Sequence, residues 1–498
     1  MTRTGGLRPD AWVVATATLA ALLWTGATVS ATPVDTRWFE IHIDRQPCGW
    51  LRLDETRDEE GRLTVDEETM LRLVREGDVT QVRMRNVETT DAKGGLLRMS
   101  RTAWVDGTPL VTSWTFTEDS VIERRTHGDR VENRSHPRPE GAWIANSMVL
   151  RCAARDASDG AERTYRVIGP TTGLEPASRR VRPLPASDAS PSHRRWEVFD
   201  TGASKPSIVV VDELDRLVRS ETPLGPDLGM FEVFRVDRDR IDRIQDARLD
   251  LDGRLEIVPR VASDVGDPSR GSTLRARIRV PNGPLPSIPG VGGQRVVQHP
   301  DHLEILIDVN RGSPLSVATD RWLGSTGTLE IDDPEVVGFA RRSATAGQDD
   351  WKIACQLRRA VERHINRKSY AVGFATAGQT VRSRGGDCSE HAVLLAAALR
   401  VHGLPSRLVT GLAWMPGSNE QPGQFVWHMW VQVVAEGEWR DLDPTLRDEV
   451  HVCSNIAFTI SDGTDADLHR ADIALLEILG RDMEIELVGR LDAERGAR

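Results

Sequence analysis

The sequence predicts an α+β protein, with a large antiparallel β region followed by a C-terminal domain in which a buried helix packs on an antiparallel sheet. Three observations predict it. Apolar and polar residues alternate in the N-terminal half, as in Gln81-Val82-Arg83-Met84-Arg85, between turn residues at Glu60-Gly61, Lys93-Gly94-Gly95 and Asp106-Gly107. Helical spacing begins at Asp333-Pro334-Glu335, an acidic cap with proline at the first helical position. Strand spacing then returns across Arg407–Ala413, Phe425–Val434 and Trp439–Leu442.

At 498 residues the chain is too long for one compact core. The pattern divides it into a signal peptide (1–31), an antiparallel β domain (32–238), a β segment or second β domain (239–330), a catalytic domain (331–460) and a C-terminal helical extension (461–498). Apolar residues at 39% and charged residues at 28% are ordinary for soluble globular protein. A formal charge of −11 without a basic run excludes a nucleic-acid binder.

Arg3 and Arg8 precede an apolar stretch from Ala11 to Leu23, too short to span a bilayer comfortably, and Val29-Ser30-Ala31 offers small residues for a signal peptidase. The expected address is therefore secreted or periplasmic. Asp10 departs from the pattern and leaves an uncleaved anchor as the alternative, the sole membrane contact expected. Five cysteines suit that address. With Cys388 kept as a free thiol, Cys48–Cys152 and Cys355–Cys453 would each bridge within one domain. The alternative is four unpaired, buried cysteines packing as small hydrophobes.

In the first β region, Arg182 to Arg195 is rich in Pro, Ser and Ala and reads as a long loop or linker before strand-like Ile208–Val211. Leu303–Ile307 is the clearest strand of the next segment. After the Asp333 helix, a second helix starts at Asp350 with Ile353, Leu357, Val361 and Ile365 on one stripe. A third runs from Cys388 to about His402, ended by Gly403 and Pro405 and apolar all round between Ala392 and Leu399, as befits a central buried helix. Ala466 to Arg490 contains a short amphipathic pattern around Ile473, Leu476 and Ile478.

Chemistry concentrates in 385–445. Asp387-Cys388-Ser389-Glu390 reads as a capping box, which puts Cys388 in the first helical turn, where unpaired N–H groups and the dipole favour anionic sulfur. Its backbone N–H is a natural donor to an oxyanion. Val426, His428, Trp430 and Gln432 alternate onto one strand face, and a two-residue turn at Glu436-Gly437 would set Trp430 opposite Asp443. His428 is then a diagonal neighbour of Asp443, within reach of a hydrogen bond that fixes its tautomer. Cys388 thus reads as nucleophile, His428 as base and Asp443 as orienter, with Asp441 the second choice of orienter. His391 reads as structural, while His364, His402 and His451 have no partner evident in the sequence. Gln379 is the guess for a second oxyanion donor. No cofactor and no metal are expected. A metal reading would use Cys388, His391 and His428 but lacks a fourth ligand.

Residues about 335–450 resemble the transglutaminase-like superfamily. The resemblance rests on Gly-Asp-Cys-x-x-His-Ala (386–392), Gly-Leu-Pro-Ser-Arg (403–407), His-x-Trp-Val (428–431) and Trp-x-x-Leu-Asp-Pro-Thr (439–445). It implies a papain-like arrangement with Cys388, His428 and Asp443 as the triad. The animal cross-linking enzymes have tryptophan directly after the cysteine where this chain has Ser389, and no calcium-loop signature is present. The resemblance accordingly implies a peptidase or amidase working through a thioester on a protein or peptide substrate, with transamidation as the variant outcome. A non-catalytic envelope-binding protein with a transglutaminase-like scaffold is the rival reading.

Overall fold

The computed structural model describes residues 35–492 apart from 76, 106–107, 128–129, 157–159, 186–191, 201–204, 226–228, 251–259, 262–264, 282–284, 316–318, 346, 369–374, 418–422, 465–466 and 469–482. The expected signal peptide, the Asp106-Gly107 turn and the helix around Ile473–Ile478 lie outside the described residues. The architecture is α+β, dominated by strands, with the helical part near the C-terminus.

The N-terminal region forms one 16-stranded sheet. Strands between Asp35 and Pro137 make one meander and those between Ile144 and Val236 a second; Asp35–Ile43 joins them by pairing with Gly229–Val236, Phe39 opposite Arg235. Alternation selects which residues turn inward: Phe39, Ile41 and Ile43 are buried on one strand and Leu51 and Leu53 on its neighbour. Arg182 to Arg195 is not an interdomain linker. Both its ends belong to paired strands, with Arg182 opposite Glu197 and Leu184 opposite Arg195.

A five-stranded sheet follows, in the order Arg260–Val261, Glu484–Asp492, Gly271–Arg279, Leu303–Asp308, Gln294–Gln298. Its second strand corrects the expected helical extension, because Glu484–Asp492 pairs antiparallel with Gly271–Arg279. The sequence signal there is strand-like: Ile485 and Leu487 alternate inward and are buried. The apolar face of this sheet packs Leu274, Ile278 and Ile305 with Phe425, Ile456 and Phe458 of the next one.

That last sheet, also five-stranded, runs Ser313–Pro314, Glu438–Leu442, Gln424–Ala435, Ser406–Met415, Ile456–Ser461. Four helices accompany it. Pro334–Ser343 is capped by Asp333, whose side chain accepts the Glu335 and Val336 N–H groups. Asp350–His364 is capped by Asp349 and buries the expected Ile353, Leu357, Val361 stripe. Ala377–Ser383 was not anticipated, although Thr376 and Gln379 form a capping box. Cys388–Val401 buries every residue from Ala392 to Arg400 against this sheet and the other helices.

All five cysteines are free, so the two expected bridges are absent. Cys48, Cys152 and Cys453 are buried. Burial pushes the Cys48 thiol up to about 12, and Cys453 Sγ donates to the Gly271 carbonyl at 3.1 Å.

Candidate active site

Asp387 and Glu390 close the capping box in both directions. Asp387 accepts the Ser389 N–H at 2.9 Å, and Glu390 accepts the Asp387 N–H at 2.9 Å. Gly386 has φ +150°, and a Cβ there would stand 2.4 Å from Glu390 Cβ, so only glycine fits the approach to the helix. Glu390 is fully buried and also accepts the Ala375 N–H at 2.9 Å. Burial and the neighbouring Asp387 raise its carboxyl to about 8. This anchor fixes the first turn on which Cys388, half-buried, is presented.

The Glu436-Gly437 turn has positive φ at both residues, 54° and 78°, the geometry that matches hairpin twist. It sets Ala435 opposite Glu438 and Val431 opposite Leu442, the expected register. Asp443 follows at the strand end, and its Oδ2 accepts His428 Nε2–H at 2.7 Å. The Cys388 side chain adds to holding a proton on the His428 ring. With Nε2 held by Asp443, Nδ1 is the ring nitrogen left for sulfur. Burial disfavours a charged imidazole, but the Asp443 carboxylate, the hydrogen bond it accepts from the ring, and the Cys388 sulfur outweigh it. His428 is held well above the ordinary histidine range.

Asp443 is 1% exposed, and its carboxylate accepts four hydrogen bonds. Besides His428 these come from Asn455 Nδ2 at 3.0 Å, Thr445 N–H at 3.0 Å and Thr445 Oγ at 2.6 Å. Burial raises the carboxyl, while the His428 charge and the hydrogen bonds from His428 and Thr445 bring it well below the usual carboxylate range. Arg358, fully buried, reaches from the Asp350–His364 helix to the carbonyls of Asp443 (3.3 Å), Leu446 and Arg447 (3.3 Å). It pins the turn that carries the aspartate.

The second-choice orienter has another task. Asp441 accepts Trp430 Nε1–H at 2.9 Å, Gln432 Nε2–H at 2.6 Å and the Gly293 N–H at 2.9 Å. Trp430 in turn lies beneath the His428 ring at 6.0 Å between centroids, 21° between planes. Gly292 admits this approach, since a Cβ there would stand 1.9 Å from Asp441 Oδ2. His391 donates from Nδ1 to the Asp387 carbonyl at 2.6 Å, as a structural histidine would. His364 and His402 have backbone partners, Val381 and Ala340 carbonyls, and His451 packs 5.8 Å from Trp430. Gln379 Oε1 closes the Thr376 capping box.

Arg358 and Asn455 are site residues that sequence reasoning missed, and the bond from Trp430 to Asp441 was not foreseen. Arg358 had a signal, a charge on the same helical stripe as Ala354 and Val361. Asn455 had none.

The helix-borne thiol of Cys388, the strand imidazole of His428 and the buried carboxylate of Asp443 all belong to one helix-and-sheet region. Residues 338–444 match the transglutaminase-like superfamily. No curated protein matches the chain. Solved structures overlap it only in part. A candidate cysteine protease from Cytophaga hutchinsonii is 12% identical, with TM-score 0.28, covering 44% of this chain and 84% of that one. The periplasmic domain of TgpA from Pseudomonas aeruginosa is 17% identical, with TM-score 0.24, covering 39% and 93%. A β-barrel-like protein of a domain of unknown function from Brucella abortus is 8% identical, with TM-score 0.31, covering 41% and 95%. Among the described residues, no helix is long and apolar enough to cross a membrane.

Proposed function

We propose that the chain is a cysteine enzyme that cleaves amide bonds through a thioester, with water as the usual acceptor. The observation that carries this reading is the 2.7 Å bond between His428 and a carboxylate saturated by four donors, on a sheet that packs in one core with the helix starting at Cys388. The proton of the Cys388 thiol passes to His428 Nδ1, and sulfur attacks the carbonyl carbon. The Cys388 N–H, in the first helical turn, is suited to receive the oxyanion. Collapse of the tetrahedral adduct breaks the C–N bond, and His428 returns its proton to the departing amine. Water, deprotonated by His428, then attacks the thioester and releases acid and free thiol. An amine in the place of water would give transamidation.

The address belongs to the same proposal. Arg3, Arg8, the apolar run to Leu23 and Val29-Ser30-Ala31 support export to the periplasm or beyond. N-terminal sequencing of the mature protein checks it; a chain starting at Met1 would refute cleavage.

The test of the chemistry is mass spectrometry after exposure to a peptide aldehyde or chloromethyl ketone at neutral pH. The adduct is expected on Cys388, and Cys388→Ala should abolish both adduct and turnover while retaining the fold. A Cys388 that reacts no faster than free cysteine would favour the scaffold reading instead.

A further inference from the structure

The N-terminal sheet borders a cavity of about 330 Å³, lined entirely by residues between Leu53 and Ser220 and remote in sequence from Cys388. That volume falls within the range of small-molecule sites, about 300–1,000 Å³. Strands from both meanders contribute, as does the helix Val149–Asp156. Leu53, Val65, Leu150, Val198, Val209 and Leu217 supply an apolar portion of the wall.

Three polar residues of the wall come from two adjacent strands. Glu67 stands opposite Asn86 in the ladder, and Glu88 is two residues further along the same face. The cations and the other acids of the wall are already engaged. Arg151 meets Glu55 at 2.8 Å, Arg179 meets Asp200 at 2.6 Å, and Asp215 meets Arg194 at 2.5 Å. Among the described residues no cationic side chain comes within ion-pair distance of Glu67 or Glu88. Glu88, 5% exposed, accepts the Ser147 N–H at 2.8 Å, and Glu67 receives only a long 3.5 Å contact from Asn86 Nδ2. Asn86 Oδ1 is buried with no partner among the described residues. Burial pushes both carboxyls up, Glu88 to about 7, with Glu67 adding to the rise and Ser147 and Arg179 opposing it.

We propose that this cavity binds a small aliphatic primary amine. An ammonium carries three N–H donors and no acceptor. The cavity offers three matching acceptors in the Glu67 carboxylate, the Glu88 carboxylate and Asn86 Oδ1, with apolar wall for the hydrocarbon body. A bound cation relieves the repulsion between the buried Glu88 and the half-buried Glu67 carboxylates, whereas an anion would add to it. A neutral alcohol brings one donor and a quaternary ammonium none, so the three acceptors discriminate among ligands of one size.

The test is calorimetric titration of the full chain with hexylamine, 1-hexanol and hexyltrimethylammonium at pH 8.5 and pH 6. Hexylamine should bind saturably and about tenfold or more tighter than the other two. Its affinity should fall as pH drops through about 7, because Glu88 takes up a proton. The charged groups around Glu88 are Glu67, Arg179, and the pairs Arg151–Glu55 and Arg194–Asp215; none is a histidine that would titrate in the same window. The Glu67→Gln/Glu88→Gln double variant should lose the binding, and Cys388→Ala should keep it. If that double variant does not fold by circular dichroism, the pH series on the unaltered chain reads the same dependence. Equal binding of amine and alcohol, no binding of amine, pH-independent binding, or full retention by a folded double variant overturns the proposal.

Discussion

Arg358 donates to the main-chain carbonyl of Asp443 at 3.3 Å, so a fully buried cation on one helix braces the residue that orients His428. The same guanidinium holds the Leu446 and Arg447 carbonyls, and burial lowers its pKa. The position of Asp443 is therefore held by a residue whose own hydrogen bonds go to main-chain carbonyls.

Arg358→Met should destabilise the fold by about 3 kcal/mol, since several buried carbonyls lose their donor. At temperatures where the variant stays folded, alkylation of Cys388 should also slow, which a purely structural role would not produce. Chemical denaturation and iodoacetamide kinetics on the same sample check both. An unchanged alkylation rate in the folded variant would remove Arg358 from the site.

Asp443→Asn should lower turnover by on the order of 10⁴, as for a triad whose imidazole is left in the wrong tautomer. The pH dependence of stability follows from the two shifts. Asp443 is depressed, so its contribution is complete above the unfolded carboxylate value and lost as pH falls. His428 is raised, so its contribution is complete below the unfolded histidine value and lost as pH rises through the folded one. The pair thus stabilises most between about pH 4 and 6.5. Urea unfolding across pH should show that maximum in the parent chain and its loss in Asp443→Asn.

Glu390 titrates in the opposite sense for a carboxyl. Its folded value near 8 means that stability declines as pH rises above the unfolded glutamate value, and the whole cost is present above about pH 8. Glu390→Gln removes the buried charge but keeps one acceptor oxygen, so either the Asp387 or the Ala375 N–H loses its partner. It should flatten the pH profile, being less stable than the parent at pH 5 and losing most of that deficit by pH 9. Thermal melts at pH 5 and pH 9 compare the two chains.

Asp441→Ala separates the two aspartates. It leaves Trp430 Nε1 and Gln432 without an acceptor, a loss of about 2–4 kcal/mol. Turnover per folded molecule should stay within a few-fold of the parent. A collapse comparable to Asp443→Asn would make Asp441 the orienter after all.

Much of the site was legible because its geometry is local. The capping box that presents Cys388 needs only Asp387 and Glu390 at a helix start. The register joining His428 to Asp443 needs only a two-residue turn at Glu436-Gly437. Other features escaped because no cap, turn or alternation sets their approach. Asn455, 12 residues past Asp443, meets it only because the chain between them folds back just before the strand Ile456–Ser461, and Arg358 crosses from a helix 85 residues earlier. The same limit explains Glu484–Asp492, a stretch of the expected helical extension that pairs with Gly271–Arg279 as a strand. It also explains the cysteines, which shared domains in the linear order without coming together.

The sequence by itself determined the α+β class, the order of the three reactive groups and the turns that aim them, because caps, turns and alternation act over a few residues. Only the tertiary structure decided what braces Asp443, which donors Asp441 takes instead and where the cavity lies. Those outcomes depend on which buried donors and acceptors meet once the sheets and helices pack, and water is no longer there to satisfy the ones that do not.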